Sequence, residues 1–238
     1  MWHMRRCKRW RVSRAILGQQ LGVINNHAVV QYLIFDDMKQ CTEQEVARLL
    51  PLVSEQRRQQ ALGYKHLFGQ FCCLKSYEML MQLLASSGSQ TPEAGFSTPD
   101  TGRQTPDTGF PLFLYNEYGQ PRLEHGPCFS ISHCQHGIAV AISEKPIGID
   151  IEHIRTAKPE LVARTMNEKE QAEIWAATSP DIAFTCLWTK KEAVLKMQGT
   201  GITSIDGIKN TLVSTEHVDL LTKVNIDKQY AYTLAILR

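Results

Sequence analysis

Six residues constrain this chain more than any others. In Ile147-Gly148-Ile149-Asp150-Ile151-Glu152, apolar β-branched residues alternate with two acids at a period of two. That period belongs to a strand, so Ile149 and Ile151 point into a core while Asp150 and Glu152 project together from the opposite face. Paired carboxylates of this kind suit Mg²⁺, which takes hard oxygen ligands from one or two carboxylates and fills its octahedron with water and substrate phosphate. An exposed strand face with two solvated acids gives the same pattern, and the pair alone favours that plainer reading.

The surrounding sequence predicts an α+β plan. Residues Ala28 to Phe35 read as a strand, rich in β-branched and aromatic side chains. From Thr42 to Ala85 the pattern turns helical, with Thr42 and Glu45 spaced as a capping box and Pro51 separating two helices, the second long and amphipathic. Residues 86–111 shift to Ser, Thr, Gly, Pro and Asp, and Thr98-Pro-Asp-Thr-Gly102 recurs as Thr105-Pro-Asp-Thr-Gly109. Such a tandem of turn residues has too little apolar surface to offset its ordering entropy, so a loop is expected there. Strands are expected at 128–132, 138–142 and 147–151. Helices follow over 158–197 with a break near Ser179-Pro180, then strands at 208–213 and 230–237.

At 238 residues with 43% apolar content the chain can bury a sizeable core, in one large domain or two small ones. No apolar run approaches the roughly 18 residues of a membrane span, so no membrane association is expected. The net charge of +2 conceals an asymmetry, because Arg5, Arg6, Lys8, Arg9, Arg11 and Arg14 all precede the first acid. Such a basic start fits a nucleic-acid arm, a targeting peptide or a stretch upstream of the true folding unit; the last is favoured, so an extension over 1–27 without a nucleic-acid partner is expected. Ala15-Ile16-Leu17-Gly18 runs directly into Gln19-Gln20, too short for the apolar part of a secretory signal. The seven cysteines lack framework spacing and Cys72-Cys73 are adjacent, which fits reduced thiols and a cytoplasmic location.

Two further constellations carry chemistry. In Trp188-Thr-Lys-Lys-Glu-Ala-Val-Leu-Lys196, helical spacing stacks Trp188, Glu192 and Lys196 on one ridge. A solvated Glu-to-Lys pair is the commoner meaning of that spacing, but Gly199-Thr200-Gly201 just beyond it allows backbone to approach a ligand. In Phe129-Ser-Ile-Ser-His133 a strand ends on a hydroxyl and an imidazole suited to phosphate. Cys128, His133, Cys134 and His136 lack the paired spacing of a structural zinc site.

These three motifs, in this order and spacing, resemble the signature of the Sfp-type 4′-phosphopantetheinyl transferases over roughly residues 28–238. The resemblance implies two pseudo-symmetric lobes, the N-terminal one over 28–126 and the C-terminal one over 127–238, with the active site at their interface. It implies that Asp150, Glu152 and Glu192 hold Mg²⁺ or Mn²⁺ against the pyrophosphate of coenzyme A. Ser132, His133, Lys191 and Lys196 would then contact phosphates, with Glu192 and Lys196 catalytic. Ser54-Glu-Gln-Arg-Arg58 and Lys65 look like the family's basic helix, so Arg57 and Lys65 are expected on the 3′-phosphate, and Gly119-Gln120-Pro121 looks like its Gly-Lys-Pro turn. Gln70 stands where an arginine is expected and Gln120 where a lysine is, which predicts a weaker cationic grip there. The implied activity is transfer of phosphopantetheine to a serine of an apo acyl, polyketide or peptidyl carrier protein by a monomeric enzyme. The competing readings are a member that binds coenzyme A or carrier without transfer, and a Mg²⁺-dependent phosphodiesterase.

Overall fold

The computed structural model describes residues 19–24, 28–87, 110–111, 113–201 and 205–238. Strand β1 (Gln19–Ile24) pairs antiparallel with β2 (Ala28–Phe35), so folded chain begins ahead of residue 28, where the sequence pattern places the first strand. The rest of the basic start, and nearly all of the 86–111 loop, lies outside the described residues. Three helices follow where two are expected: α1 (Glu43–Leu49), α2 (Glu55–Leu62) and α3 (Leu67–Ser86). Thr42 caps α1 by accepting from the Glu45 amide, but the Glu45 carboxylate turns to Arg48 at 2.7 Å instead of completing a box. Pro51 sits in a short 3-10 turn between α1 and α2, and Ser54 caps α2.

Then come the hairpin β3 (Phe113–Tyr115) and β4 (Pro121–Leu123), and the strands β5 (Cys128–Cys134), β6 (Gly137–Ser143) and β7 (Ile147–His153). Helices α4 (Pro159–Thr165), α5 (Glu168–Ala176), α6 (Pro180–Gln198) and α7 (Ile205–Asn210) precede β8 (Val218–Asn225) and β9 (Tyr230–Leu237). The expected strand at 208–213 is therefore a correction: Ile208 is buried in a short helix, and the strand begins at Val218.

Strands β1-β2-β6-β5 form one sheet and β7-β9-β8 another. Strand β6 pairs with β2 and β5 pairs with β6, so both strands lie in the N-terminal sheet although they follow the expected boundary at 126/127. The break between sheets falls between Ser143 and Ile147. Helix α3 packs on β2 and β6, and α6 on β7, β8 and β9.

The alternation in β7 positions everything that follows. Ile147, Ile149 and Ile151 pack with Tyr32, Ala139 and Ala141 of the first sheet and with Tyr232 and Leu234 of β9. Full burial of an isoleucine contributes roughly 1.5–3 kcal/mol, which pins the register. The opposite face, Gly148, Asp150 and Glu152, is thereby turned toward α6. A Cβ on Gly148 would overlap the Ala193 carbonyl and lie 2.6 Å from the Met197 amide nitrogen, so the helix backbone rests directly on this glycine.

Candidate active site

That close approach brings Lys196, in the last turn of α6, over the polar face of β7. Its Nζ donates to Asp150 Oδ1 at 2.7 Å and to Ser132 Oγ at 2.9 Å, and Ser132 Oγ donates to the same Asp150 oxygen at 2.8 Å. Three residues separated by 18 to 64 positions thus share one contact. Asp150 is 3% exposed, and its second oxygen, Oδ2, is buried with no hydrogen-bond partner. An orphaned buried carboxylate oxygen is costly and marks a place where a further positive or donor group is accommodated.

One helical turn back, Glu192 is partly buried beside the same carboxylates. Burial pushes its carboxyl above the usual range, and Asp150 and Glu152 push it further, while Lys196 and Arg155 pull it down. Glu152 accepts from Arg155 Nη2 at 2.7 Å, and that guanidinium lies 5.9 Å from the Trp188 ring centre. Arg155 is a residue the motif reading missed; its position three residues after Glu152 is the signal that could have found it. Among the described residues, no three His, Cys, Asp or Glu side chains form a ready-made metal cluster.

The remaining expected residues divide. The His133 ring reaches the surface and meets the Phe68 ring edge-on at 6.0 Å. Crowding by its neighbours, then the Lys196 and Arg57 cations, hold its pKa below the ordinary histidine value, as befits an imidazole in a cationic corner. Lys65 is exposed in the segment between α2 and α3.

Two placements correct the sequence reading. Lys191 is fully buried and faces away from the site: its ammonium donates to the carbonyls of Ile208 and Lys209, each at 2.8 Å, and pairs with Glu170 at 2.8 Å. Three partners for three N–H groups leave it none for a phosphate. Arg57 is also buried, donating from Nε to the Cys73 carbonyl at 3.1 Å, from Nη1 to Gln60 at 2.9 Å and from Nη2 to Ser76 at 3.0 Å, so it ties α2 to α3. Gln70 donates to the Tyr64 carbonyl at 2.9 Å, and Gln120 to the Lys196 carbonyl at 2.5 Å.

Beside Lys196 opens a cavity of about 230 Å³, lined among others by Tyr118, Gln120, Phe129, Ile131, Leu195, Gly199 and Gly201. Apolar walls with one lysine at the edge suit a ligand part that is flat or aliphatic and joined to a charged group.

The chain matches the family model described as the 4′-phosphopantetheinyl transferase superfamily over residues 146–236, which include β7, α6 and β9. It is similar to the 4′-phosphopantetheinyl transferase gsp of Aneurinibacillus migulanus, 38% identical over 95 residues, covering 38% of this chain and 39% of that protein. Likeness to the 4′-phosphopantetheinyl transferase Sfp of Bacillus subtilis (strain 168) is 32% over 94 residues, covering 38% and 42%. The chain thus spans about two-fifths of the length of these two relatives. With the 4′-phosphopantetheinyl transferase AcpT of Salmonella typhi it is 33% identical over 159 residues, covering 63% of this chain and 82% of that protein. A likeness over most of a relative's length, with the Asp150, Glu192 and Lys196 motifs meeting in one place, establishes that this chain belongs to the 4′-phosphopantetheinyl transferase superfamily.

Proposed function

We propose that this chain transfers the 4′-phosphopantetheine group of coenzyme A to a serine of an apo acyl, polyketide or peptidyl carrier protein, releasing adenosine 3′,5′-bisphosphate. The observation that carries this reading is the meeting of Lys196, Ser132 and Asp150 beside Glu192, a set of groups fitted to phosphoryl transfer. On this reading the α3-covered and α6-covered sheets are two pseudo-symmetric lobes, coenzyme A lies between them, and the enzyme acts as a cytoplasmic monomer without a membrane or nucleic-acid partner. No helix among the described residues is long and apolar enough to cross a membrane.

A divalent cation fits the residues present. Asp150 offers a buried, unpartnered oxygen, and the Glu192 carboxyl is raised by burial and then by the neighbouring Asp150 and Glu152 carboxylates. Asp150, Glu152 and Glu192 would hold Mg²⁺ or Mn²⁺, which when bound neutralises charge on the pyrophosphate.

The chain's own groups then have defined tasks. The carrier serine Oγ forms a bond to the β-phosphorus as the bond from that phosphorus to the oxygen of the adenosine bisphosphate breaks. Glu192 accepts the serine proton at a carboxylate oxygen. Lys196, held at the site by Ser132 and Asp150, lies against the phosphate oxygens on which charge builds. Ser132 and His133 contact phosphate, and Lys65 extends toward the 3′-phosphate. Lys191 and Arg57 serve the framework.

The test is intact mass measurement of a panel of apo carrier proteins incubated with the protein, coenzyme A and Mg²⁺. A gain of one phosphopantetheine arm that disappears with EDTA is expected. No gain on any carrier, with coenzyme A still bound, rejects transfer in favour of binding alone.

A further inference from the structure

We propose that Asn116 and Gln120, in the turn between β3 and β4, are positioning residues that strap down the C-terminal end of α6 and so set the reach of Lys196; the inference rests on the transferase reading above. A helix ends with carbonyls that have no partner within it. In α6 some are satisfied locally: Gly199, at φ 76°, donates to Leu195 at 2.9 Å and more weakly to Lys196 at 3.3 Å, and Thr200 donates to Leu195 at 3.3 Å.

Two carbonyls at this end also accept from outside the helix. Gln120 Nε2 donates to the Lys196 carbonyl at 2.5 Å and Asn116 Nδ2 to the Gly199 carbonyl at 2.9 Å, from 76 and 83 residues away. The two residues are also built into each other. Asn116 Oδ1 accepts from the Tyr118 and Gln120 amides at 3.0 and 2.9 Å, so one end of its side chain shapes the turn while the other grips the helix.

The junction is closely packed. A Cβ on Gly199 would stand 2.5 Å from Gln120 Oε1, and at Ala193 and Met197 Gly148 lets the α6 backbone rest on β7. The end of α6 is therefore clamped between a strand and a turn. From that fixed end the Lys196 side chain reaches Asp150 and Ser132 at 2.7 and 2.9 Å, distances that a drift of one ångström would break. Gln120, where a lysine is expected, thus has a task that uses its amide: donating to a helix carbonyl.

The experiment uses substitutions that remove donors and keep shape: Asn116→Asp, which retains the turn-forming oxygen, with Gln120→Glu and Gln120→Met, the last adding no charge. Each is assayed for carrier modification in the wild-type and Lys196→Ala backgrounds. In the wild-type background kcat is expected to fall about 10- to 100-fold, with KM for coenzyme A changed less than about twofold. In the Lys196→Ala background no further loss is expected, because a strap that acts through Lys196 has nothing left to position. An equal fall in both backgrounds, an unchanged kcat, or an effect confined to KM overturns the proposal.

Hydrogen exchange supplies a readout independent of turnover. The Gly199 and Thr200 amides should exchange faster in each variant while amides in the first half of α6 are unaffected, and unchanged exchange at Gly199 and Thr200 overturns the proposal. A wild-type protein that modifies no carrier sinks the transferase reading instead, and the exchange comparison still decides whether the strap exists.

Discussion

Lys191 and Lys196 stand five residues apart on α6, which at 100° per residue puts them about 140° apart around the helix. Lys196 shares its ridge with Glu192 and reaches Asp150; Lys191 points into the opposite packing and joins α6 to α5 and α7 through Glu170 and the carbonyls of Ile208 and Lys209. Burial draws the Lys191 pKa down, and the Glu170 contact draws it back. Removing one member of a buried pair strands the other charge, so Lys191→Ala should cost about 3–5 kcal/mol of stability. Denaturant titration checks this, and the KM for coenzyme A, measured well below the lowered melting temperature, should stay near wild type. A folded, equally stable variant with a raised KM would return Lys191 to the phosphate.

Glu192 carries a different penalty. Its carboxyl titrates above its ordinary value because burial and two acidic neighbours disfavour the charge. The folded state therefore holds the proton more tightly than the unfolded one, and stability falls as pH rises from about 4.5 through the raised pKa. Without divalent cation, Glu192→Gln should melt higher than wild type at pH 8, and the gap should close toward pH 4.5. Added Mg²⁺ should stabilise the wild type at pH 8 and the variant much less, while the variant should lose turnover although folded. Thermal melts across pH with and without EDTA read out both signs; a variant no more stable at pH 8 would mean that Glu192 is not held against its neighbours.

At the scale of elements, β7 and the second half of α6 act as one unit because Gly148 lets their backbones touch. Gly148→Ala must push α6 away or bend β7. The overpacking cost is about 1–3 kcal/mol in ordinary cores, and a rigid helix backbone as the obstructing partner places it at the upper end. The same shift carries Lys196 away from Asp150, so kcat should fall more than the stability loss explains; a variant with normal kcat would show that the approach is not needed for the site.

The period of two in β7 and the ridge in α6 were legible in the sequence, since both are regular patterns on single elements. Their meeting was not: a glycine in a strand pattern does not say which backbone it admits. Strand β1 was hidden because Gln19-Gln20 opens it with polar residues, and β8 because Asp219 and Lys223 interrupt its apolar pattern while Ile208 to Val213 mimics one. Arg57 and Lys191 were misread for a common reason. Sequence shows a cation's charge but not whether carbonyls and hydroxyls inside the fold have already claimed its donors.

At the scale of the whole molecule, the chain passes from the first sheet to the second between Ser143 and Ile147 without separating their cores. Val30, Tyr32, Ala139 and Ala141 pack with Ile149, Tyr232 and Leu234 in one apolar layer between the sheets. Within it the Tyr32 and Tyr232 hydroxyls lie 3.4 Å apart, and at its edge Tyr230 donates to Asp36 at 3.1 Å. Burial first, with help from Tyr32, raises the Tyr232 phenol far above its usual range, and burial lifts Tyr230 to about 12, so neither ionises near neutral pH. The two sheets therefore have a shared core to lose together. Unfolding of the full chain should be a single transition, with calorimetric and van't Hoff enthalpies in agreement. A fragment of residues 127–238 should fail to fold cooperatively, because it contains β5 and β6 but lacks β2, the strand that completes their sheet and supplies Tyr32 to the layer. Two separate transitions in the full chain, or a cooperative melt of that fragment alone, would mean that the interlayer contacts are an association of independent units, and that Ser132 on β5 and Asp150 on β7 meet across a joint free to open.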